Sequence, residues 1–378
     1  MHYVDYAATT PLVDEALEAM LPYLKEHFGN PSSLYGPGRD AKRGVEEARE
    51  QVADAIGASP SEIVFTGGGS EADNLAIKGA AFRNPKGHFI TTTIEHHAVL
   101  DTAEWLEANG AEVTYVPVDS DGVIDLNALE QALRPDTILV SVMAANNEVG
   151  AIQPLKKVVE VVKSKSEALV HTDAVQALGK IPFNVSEIGV DLAAFSAHKV
   201  GGPKGTGALF VRSKTKIEPL IHGGGQERGL RSGTHNVAGI AGLGAAALVS
   251  AKEAEQEGDR LQGLRDRLQS ELEAAMPGLT VNAAKAERLP GLLSVCIPGI
   301  QGDSLLLMLD RAGICASSGS ACQSGSLDPS HVLVAMGVDK KLAFGSVRFT
   351  FGRRSTDADV DAVVQTLPKV VAKLRRIH

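Results

Sequence analysis

At 378 residues the chain exceeds the size at which one hydrophobic core usually stops growing, so two domains are expected. Its 44% hydrophobic and 22% charged residues are ordinary for a soluble globular enzyme. A formal net charge of −9, with no Lys/Arg cluster beyond isolated pairs such as Arg353-Arg354, excludes a nucleic-acid backbone as the main partner. The opening residues Met1-His2-Tyr3-Val4-Asp5 have neither a basic region nor an apolar run, so no signal peptide is expected. The longest low-polarity stretch, residues 237–251, is Gly/Ala-rich and short for a bilayer, so no membrane partner is expected either. Three cysteines, Cys296, Cys315 and Cys322, include no CxxC pair; this argues against a disulfide framework or zinc site and fits a reducing cytoplasm.

In chain order, seven short apolar segments recur between Glu62 and Arg212, separated mainly by helical patterns. They begin with Ile63-Val64-Phe65 and end with Leu192-Ala193-Ala194-Phe195 and Ala208-Leu209-Phe210-Val211. Continuous apolar strands alternating with helices predict an α/β fold with a seven-stranded, mostly parallel sheet covered on both faces. In such sheets ligands bind beyond the carboxyl ends of the strands. A charged helix over 252–276 follows, with Leu261, Leu264, Leu268 and Leu272 on one stripe, and reads as the connection into a smaller α+β domain. Two further strands, at Leu292 to Ile297 and Val347 to Phe351, lead to a closing helix with Thr356 as N-cap. Cys296 and Cys315 have apolar neighbours and read as core residues.

Five segments carry chemistry. Thr66-Gly67-Gly68-Gly69-Ser70 joins a strand to a helix expected to begin near Ala72, a suitable anion cradle or simply a tight turn. Asp173 ends another strand, where it could either cap the next helix or pair with a protonated ring nitrogen. Lys199 follows the next strand end, well placed to form an imine with an aldehyde cofactor. In Glu95-His96-His97, at most one histidine of a strand could face a shared ligand. Finally, Ser317-Ser318-Gly319-Ser320-Ala321-Cys322 reads as a reactive thiol on a mobile loop, since no bulky apolar residue nearby could wall it in and Gly319 and Gly325 allow movement. A nucleophilic thiol with an imine-forming lysine points to sulfur chemistry on pyridoxal phosphate.

The chain also resembles the group I cysteine desulfurases (NifS/IscS-like), within the class V aminotransferase family of fold-type I pyridoxal-phosphate enzymes. The resemblance rests on Asp5-Tyr6-Ala7-Ala8-Thr9-Thr10-Pro11, Gly29-Asn30-Pro31-Ser32-Ser33, Asn146-Asn147-Glu148-Val149-Gly150, His222-Gly223-Gly224-Gly225-Gln226-Glu227 and Arg231-Ser232-Gly233-Thr234, in that order. It implies a large domain at 14–257, and a small domain of 1–13 with 258–378 that carries the cysteine loop at about 316–330. It implies pyridoxal 5′-phosphate held by Lys199, with Asp173 on the ring nitrogen, Gln176 at the ring hydroxyl and His96 stacked on the ring. Gly69, Ser70, Ser196 and His198 would bind the phosphate, with Thr234 supplied by the partner of a homodimer. Asn147 would lie beside cofactor and substrate, and Arg348 would grip the substrate carboxylate. Lys199 and His96 would move protons, and Cys322 would take sulfur from L-cysteine as a persulfide, leaving L-alanine.

The resemblance further implies a protein sulfur acceptor, either an iron–sulfur cluster scaffold or a thiolation enzyme. No intrinsic metal is expected, although Cys322 is available to ligate a transient cluster with a partner. Some relatives carry a scaffold-docking tail beyond the last helix; here the sequence stops at Ile377-His378, so a different docking mode is expected. An aminotransferase or selenocysteine lyase would share Lys199 and Asp173, and a catalytically idle assembly scaffold is the alternative outside enzymes.

Overall fold

The structure, a computed structural model, describes residues 1–318 and 328–376. A short strand β1 (His2–Tyr3) precedes helices α1 (Asp14–Lys25) and α2 (Gly36–Ile56). Pro37 occupies the second position of α2 and Gly57, at φ 68°, closes it, the usual asymmetry of helix ends. Seven strands then follow: β2 (Ile63–Thr66), β3 (His88–Thr92), β4 (Glu112–Val116), β5 (Thr137–Ser141), β6 (Leu169–Asp173), β7 (Leu192–Ser196) and β8 (Gly207–Val211). Between them lie α3 (Gly69–Ala81), α4 (His97–Ala108), α5 (Leu126–Ala132), α6 (Leu155–Lys165) and α7 (Val185–Ile188).

These strands form one sheet in the order β2-β8-β7-β6-β5-β3-β4. Strands β7, β6, β5, β3 and β4 pair in parallel, while β8 runs antiparallel to both of its neighbours. Period-two alternation sends successive side chains of β7 into different cores: Leu192 and Ala194 to one face, Ala193 and Phe195 to the other. Every residue of β2, β3, β7 and β8 is buried, as a sheet covered on both faces requires.

The polarity change near residue 251 does not mark a break. Helix α8 (Val237–Ala275) is continuous over 39 residues. Its first part packs Ile240, Leu243 and Ala247 with Val45 and Val52 of α2, and a Cβ at Gly244 would lie 2.7 Å from the Ala48 Cα. Its last part contributes Leu264, Leu268 and Leu272 to a second core. Composition changes because the surroundings change, with no helix-breaking residue between. By length and composition α8 could cross a membrane, but just over half of its most apolar window is buried and it packs on α1 and α2, as a core helix does.

The second core is built on a sheet of β9 (Thr280–Val281), β10 (Leu292–Cys296) and β12 (Ser346–Thr350), in the order β12-β10-β9. Helices α9 (Gly302–Arg311), α10 (His331–Ala335), α11 (Lys340–Ala343) and α12 (Asp357–Leu374) accompany it, and strand β11 (Ile314–Cys315) pairs with β1. At the start of α12 the Thr356 N–H donates to the Asp359 carboxylate at 2.9 Å, which closes the first turn with Thr356 as N-cap. Thr350 N–H also donates to the Val4 carbonyl, so the amino terminus is fastened to the second core before it enters the space between the two. Cys296 is buried as expected. Cys315 is only half-buried, because a two-stranded edge cannot cover it.

One buried ion pair fastens α2 to the loop before α8. Arg49 donates to both Glu227 oxygens at 2.8 Å, and Phe65 N–H and His235 also bond this carboxylate. Burial alone would raise the Glu227 carboxyl, but the Arg49 and His235 hydrogen bonds outweigh it and hold it at about 2. Glu227→Ala leaves the buried Arg49 charge with only the half-exposed Glu46 carboxylate as partner, and should cost about 3 kcal/mol in denaturant unfolding. Because the folded carboxyl is depressed, this stabilisation is present above the ordinary Glu range and should fade as pH drops from about 4 towards 2.

Candidate active site

A cavity of about 350 Å³ opens beyond the carboxyl ends of β6 and β7, within the usual size of a small-ligand site. Asp173 is the last residue of β6, and its carboxylate accepts the Val175 N–H at 2.9 Å. No helix starts there; turns follow until α7, so the helix-cap alternative falls away. Burial raises the Asp173 carboxyl, while the nearby Lys199 ammonium favours its charged form. Lys199 ends the single helical turn Ala197–Lys199 after β7, and its ammonium donates to the Ala7 and Ala8 carbonyls at 2.6 and 2.7 Å. Gln176 donates to the same Ala7 carbonyl at 3.0 Å, and its own carbonyl oxygen accepts from Lys180. The fastened amino-terminal segment thus forms one wall.

The anion cradle is tighter than the sequence suggests. Helix α3 begins at Gly69 rather than near Ala72, so Gly69 and Ser70 lie in its first turn, where N–H groups have no intrahelical partner. Gly68 stands at φ 156°, open only to glycine, and a Cβ on Gly69 would come within 2.8 Å of the Val175 side chain. Ser196 and His198 line the cavity beside it. Burial, with Lys199, Lys204 and Lys180 adding to it, lowers His198 to about 4, so its ring is neutral near pH 7.

His96 is not in a strand. It is the N-cap of α4, and its Nδ1 accepts the Ala98 N–H at 3.0 Å. That bond selects the neutral tautomer protonated at Nε2, so the cavity-lining His96 offers a proton there rather than taking one. His97 opens the helix and bonds Asp101 instead. Across the cavity, Asn146 accepts the Glu148 and Val149 N–H groups and shapes the turn that displays Asn147. Arg348 of β12 donates to the Asn147 carbonyl at 2.6 Å and to Asp5 at 2.8 Å. Its Nε has no hydrogen-bond partner among the described residues. Among the described residues its bonds to Asn147 and Asp5 use only two of the five N–H groups that a guanidinium offers.

The cavity therefore brings together Gly69, Ser70, His96, Asn147, Asp173, Gln176, Ser196, His198, Lys199 and Arg348. Thr234 is exposed and lies outside this wall. Cys322, with Gly319 and Gly325, lies outside the described residues. The described chain on either side of it meets the site: Ser317 pairs through its backbone with Arg348, and the Ser330 hydroxyl bonds Glu148. Burial raises the Glu148 carboxyl to about 7.

Sequence reading missed Asp73 and Lys180. Asp73 lies one helical turn from Gly69 and lines the cavity, a position recoverable by i, i+4 counting once α3 is started correctly. Lys180 follows Gln176 by four residues, but in turns rather than a helix, so no periodicity marks it.

The aminotransferase class-V family model matches residues 2–363. A cysteine desulfurase IscS of Dictyoglomus turgidum is 50% identical over 377 residues, covering 99% of this chain and 95% of that protein. A solved NifS-like protein matches with a TM-score of 0.93 and 44% identity, over 99% of this chain and all of that one. A structure described as SspA in complex with cysteine matches with a TM-score of 0.82 and 37% identity, over 93% of this chain and 99% of that one. The chain belongs to the class-V aminotransferase family and, within it, to the cysteine desulfurases.

Proposed function

We propose that this cavity binds pyridoxal 5′-phosphate and that the chain converts L-cysteine to L-alanine, passing the sulfur to Cys322. The observation that carries the reading is the convergence of Lys199, buried Asp173 and the glycine-walled start of α3 on one cavity. The residues fit each feature of the cofactor. The first turn of α3 with Ser196 and His198 suits its phosphate, Asp173 its ring nitrogen, Gln176 its ring hydroxyl and Lys199 its aldehyde carbon. Bound, the cofactor supplies an electron sink that makes the substrate Cα proton acidic.

The chain's own groups do the rest. Asp173, buried and without a Lys or Arg salt bridge among the described residues, holds a proton on the ring nitrogen more strongly than it could in water. Lys199 moves the Cα proton at Nζ once released from the Ala7 and Ala8 carbonyls. His96 covers the cavity and offers the proton at Nε2. Arg348 and Asn147 orient the substrate carboxylate. The Cys322 thiolate attacks the substrate sulfur: the substrate Cβ–S bond breaks, an S–S bond forms, and thiol plus cysteine become persulfide plus alanine, with atoms balanced. A dithiol then releases the terminal sulfur as sulfide, itself oxidised to the disulfide.

The same reading makes the enzyme a homodimer. Phe28 is 81% and Leu34 90% exposed around the corner between α1 and α2, with Leu24 and Tyr35 beside them, an apolar patch that a second copy would cover. In that dimer Thr234 reaches the partner's phosphate site. We take residues 14–257 as the cofactor domain and 1–13 with 258–378 as the small domain, with α8 shared between them. The enzyme acts in the reducing cytoplasm, where a protein acceptor, a cluster scaffold or thiolation enzyme, receives the persulfide. A single turnover with L-cysteine, without added thiol, should leave one extra sulfur on the Cys322 peptide and release one alanine per site. Sulfur on the Cys296 or Cys315 peptide, or on none, would refute the assignment.

A further inference from the structure

We infer that Asp73 is held as the neutral acid and shares its proton with His171, so that of the two aspartates lining the cavity only Asp173 carries charge. Asp73 is 1% exposed and His171 fully buried, and Asp73 Oδ1 and His171 Nε2 have no hydrogen-bond partner among the described residues. They stand 3.5 Å from each other. On its other side the imidazole Nδ1 meets Ser141 Oγ at 2.8 Å. One proton on Asp73 Oδ1, directed at Nε2, serves both orphaned atoms, and the imidazole then donates from Nδ1 to Ser141.

The alternative is an ion pair of Asp73 carboxylate and His171 imidazolium, two charges buried in place of none. The surroundings oppose it. Besides His171, the ionisable groups facing Asp73 are other carboxyls, Asp173 and Glu95, and no Lys or Arg pairs with it among the described residues. Burial lowers His171 to about 3, so it supplies no compensating charge near pH 7, and it raises Glu95 to about 8. Asp173, in contrast, has the Lys199 ammonium within reach of its charge. Two carboxyls side by side with divergent environments divide into one acid and one anion. Asp73 is thus a positioning residue: its neutrality leaves Asp173 the undivided partner of the ring nitrogen. This rests on the role proposed above for Asp173.

The test reads Asp73 directly, in the full chain with and without pyridoxal phosphate. Infrared difference spectra of wild type minus Asp73→Asn should show the C=O band of a protonated carboxylic acid from pH 5 to 8. A raised folded carboxyl costs stability once the unfolded chain ionises, above about pH 4. The Tm of wild type relative to Asp73→Asn should therefore fall steadily between pH 5 and 8. If the variant does not fold, ¹⁵N spectra of histidine-labelled wild type should show His171 neutral and protonated at Nδ1 over that range. Absence of the acid band, a Tm difference flat with pH, or an imidazolium signal would overturn the inference. Because these readouts exist without cofactor, failure of pyridoxal phosphate to bind would count against the proposed function alone.

Discussion

Cys322→Ser is expected to keep the cofactor's yellow colour and the spectral change on adding L-cysteine, while sulfide production falls by about 10³-fold or more. The split follows from the division of labour. In the proposed reading Lys199, Asp173 and the α3 cradle, which line one cavity, handle cofactor and substrate without any thiol. Sulfur transfer needs a soft nucleophile that ionises near neutral pH; an unperturbed thiol does so at about 8.5, and a serine hydroxyl does not. The remaining cysteines cannot substitute. Cys296 is buried, which pushes its thiol up, and its sulfur lies 3.4 Å from the Asn282 amide. Cys315 lies half-buried on β11. Visible spectra and a sulfide assay on the same preparation check both halves. Sulfide release within tenfold of wild type would remove Cys322 from the mechanism.

Lys199→Ala should abolish turnover and also loosen the cofactor. Loss of the proton-moving amine alone removes about 10²–10⁴-fold. Loss of the covalent hold adds to this, so dialysis should strip the cofactor from the variant but not from wild type. The substitution also deletes the two hydrogen bonds to the Ala7 and Ala8 carbonyls, which position the amino-terminal wall. Lys199→Arg would keep a cation and donors there without an imine-forming amine. If it regained the fold's stability but not turnover, the chemical role would be separated from the structural one. Turnover within tenfold of wild type in either variant would sink the assignment of Lys199.

Much of this site was legible because strand ends carry it. The apolar run Leu192 to Phe195 both predicts β7 and points to Lys199 beyond it, and the same logic finds Asp173 after β6. What escaped depended on local geometry or on distant chain. A start of α3 at Gly69 is set by the φ of Gly68, which a run of three glycines does not reveal. His96 looks like a strand residue until its Nδ1 is seen capping α4. Neither the opening segment's bonds to Lys199 and Gln176 nor the meeting of Asp73 with His171 could be read locally, since each joins residues about a hundred or more positions apart. The unbroken course of α8 was hidden because a helix that changes partners midway changes composition too.

The most direct test is stoichiometry. Purified protein loaded with pyridoxal phosphate, given L-cysteine and dithiothreitol, should release sulfide and L-alanine in equal amounts over many turnovers, with no keto acid. Pyruvate in place of alanine, or alanine without sulfide, would contradict the account while leaving the fold and the cofactor cavity as they are.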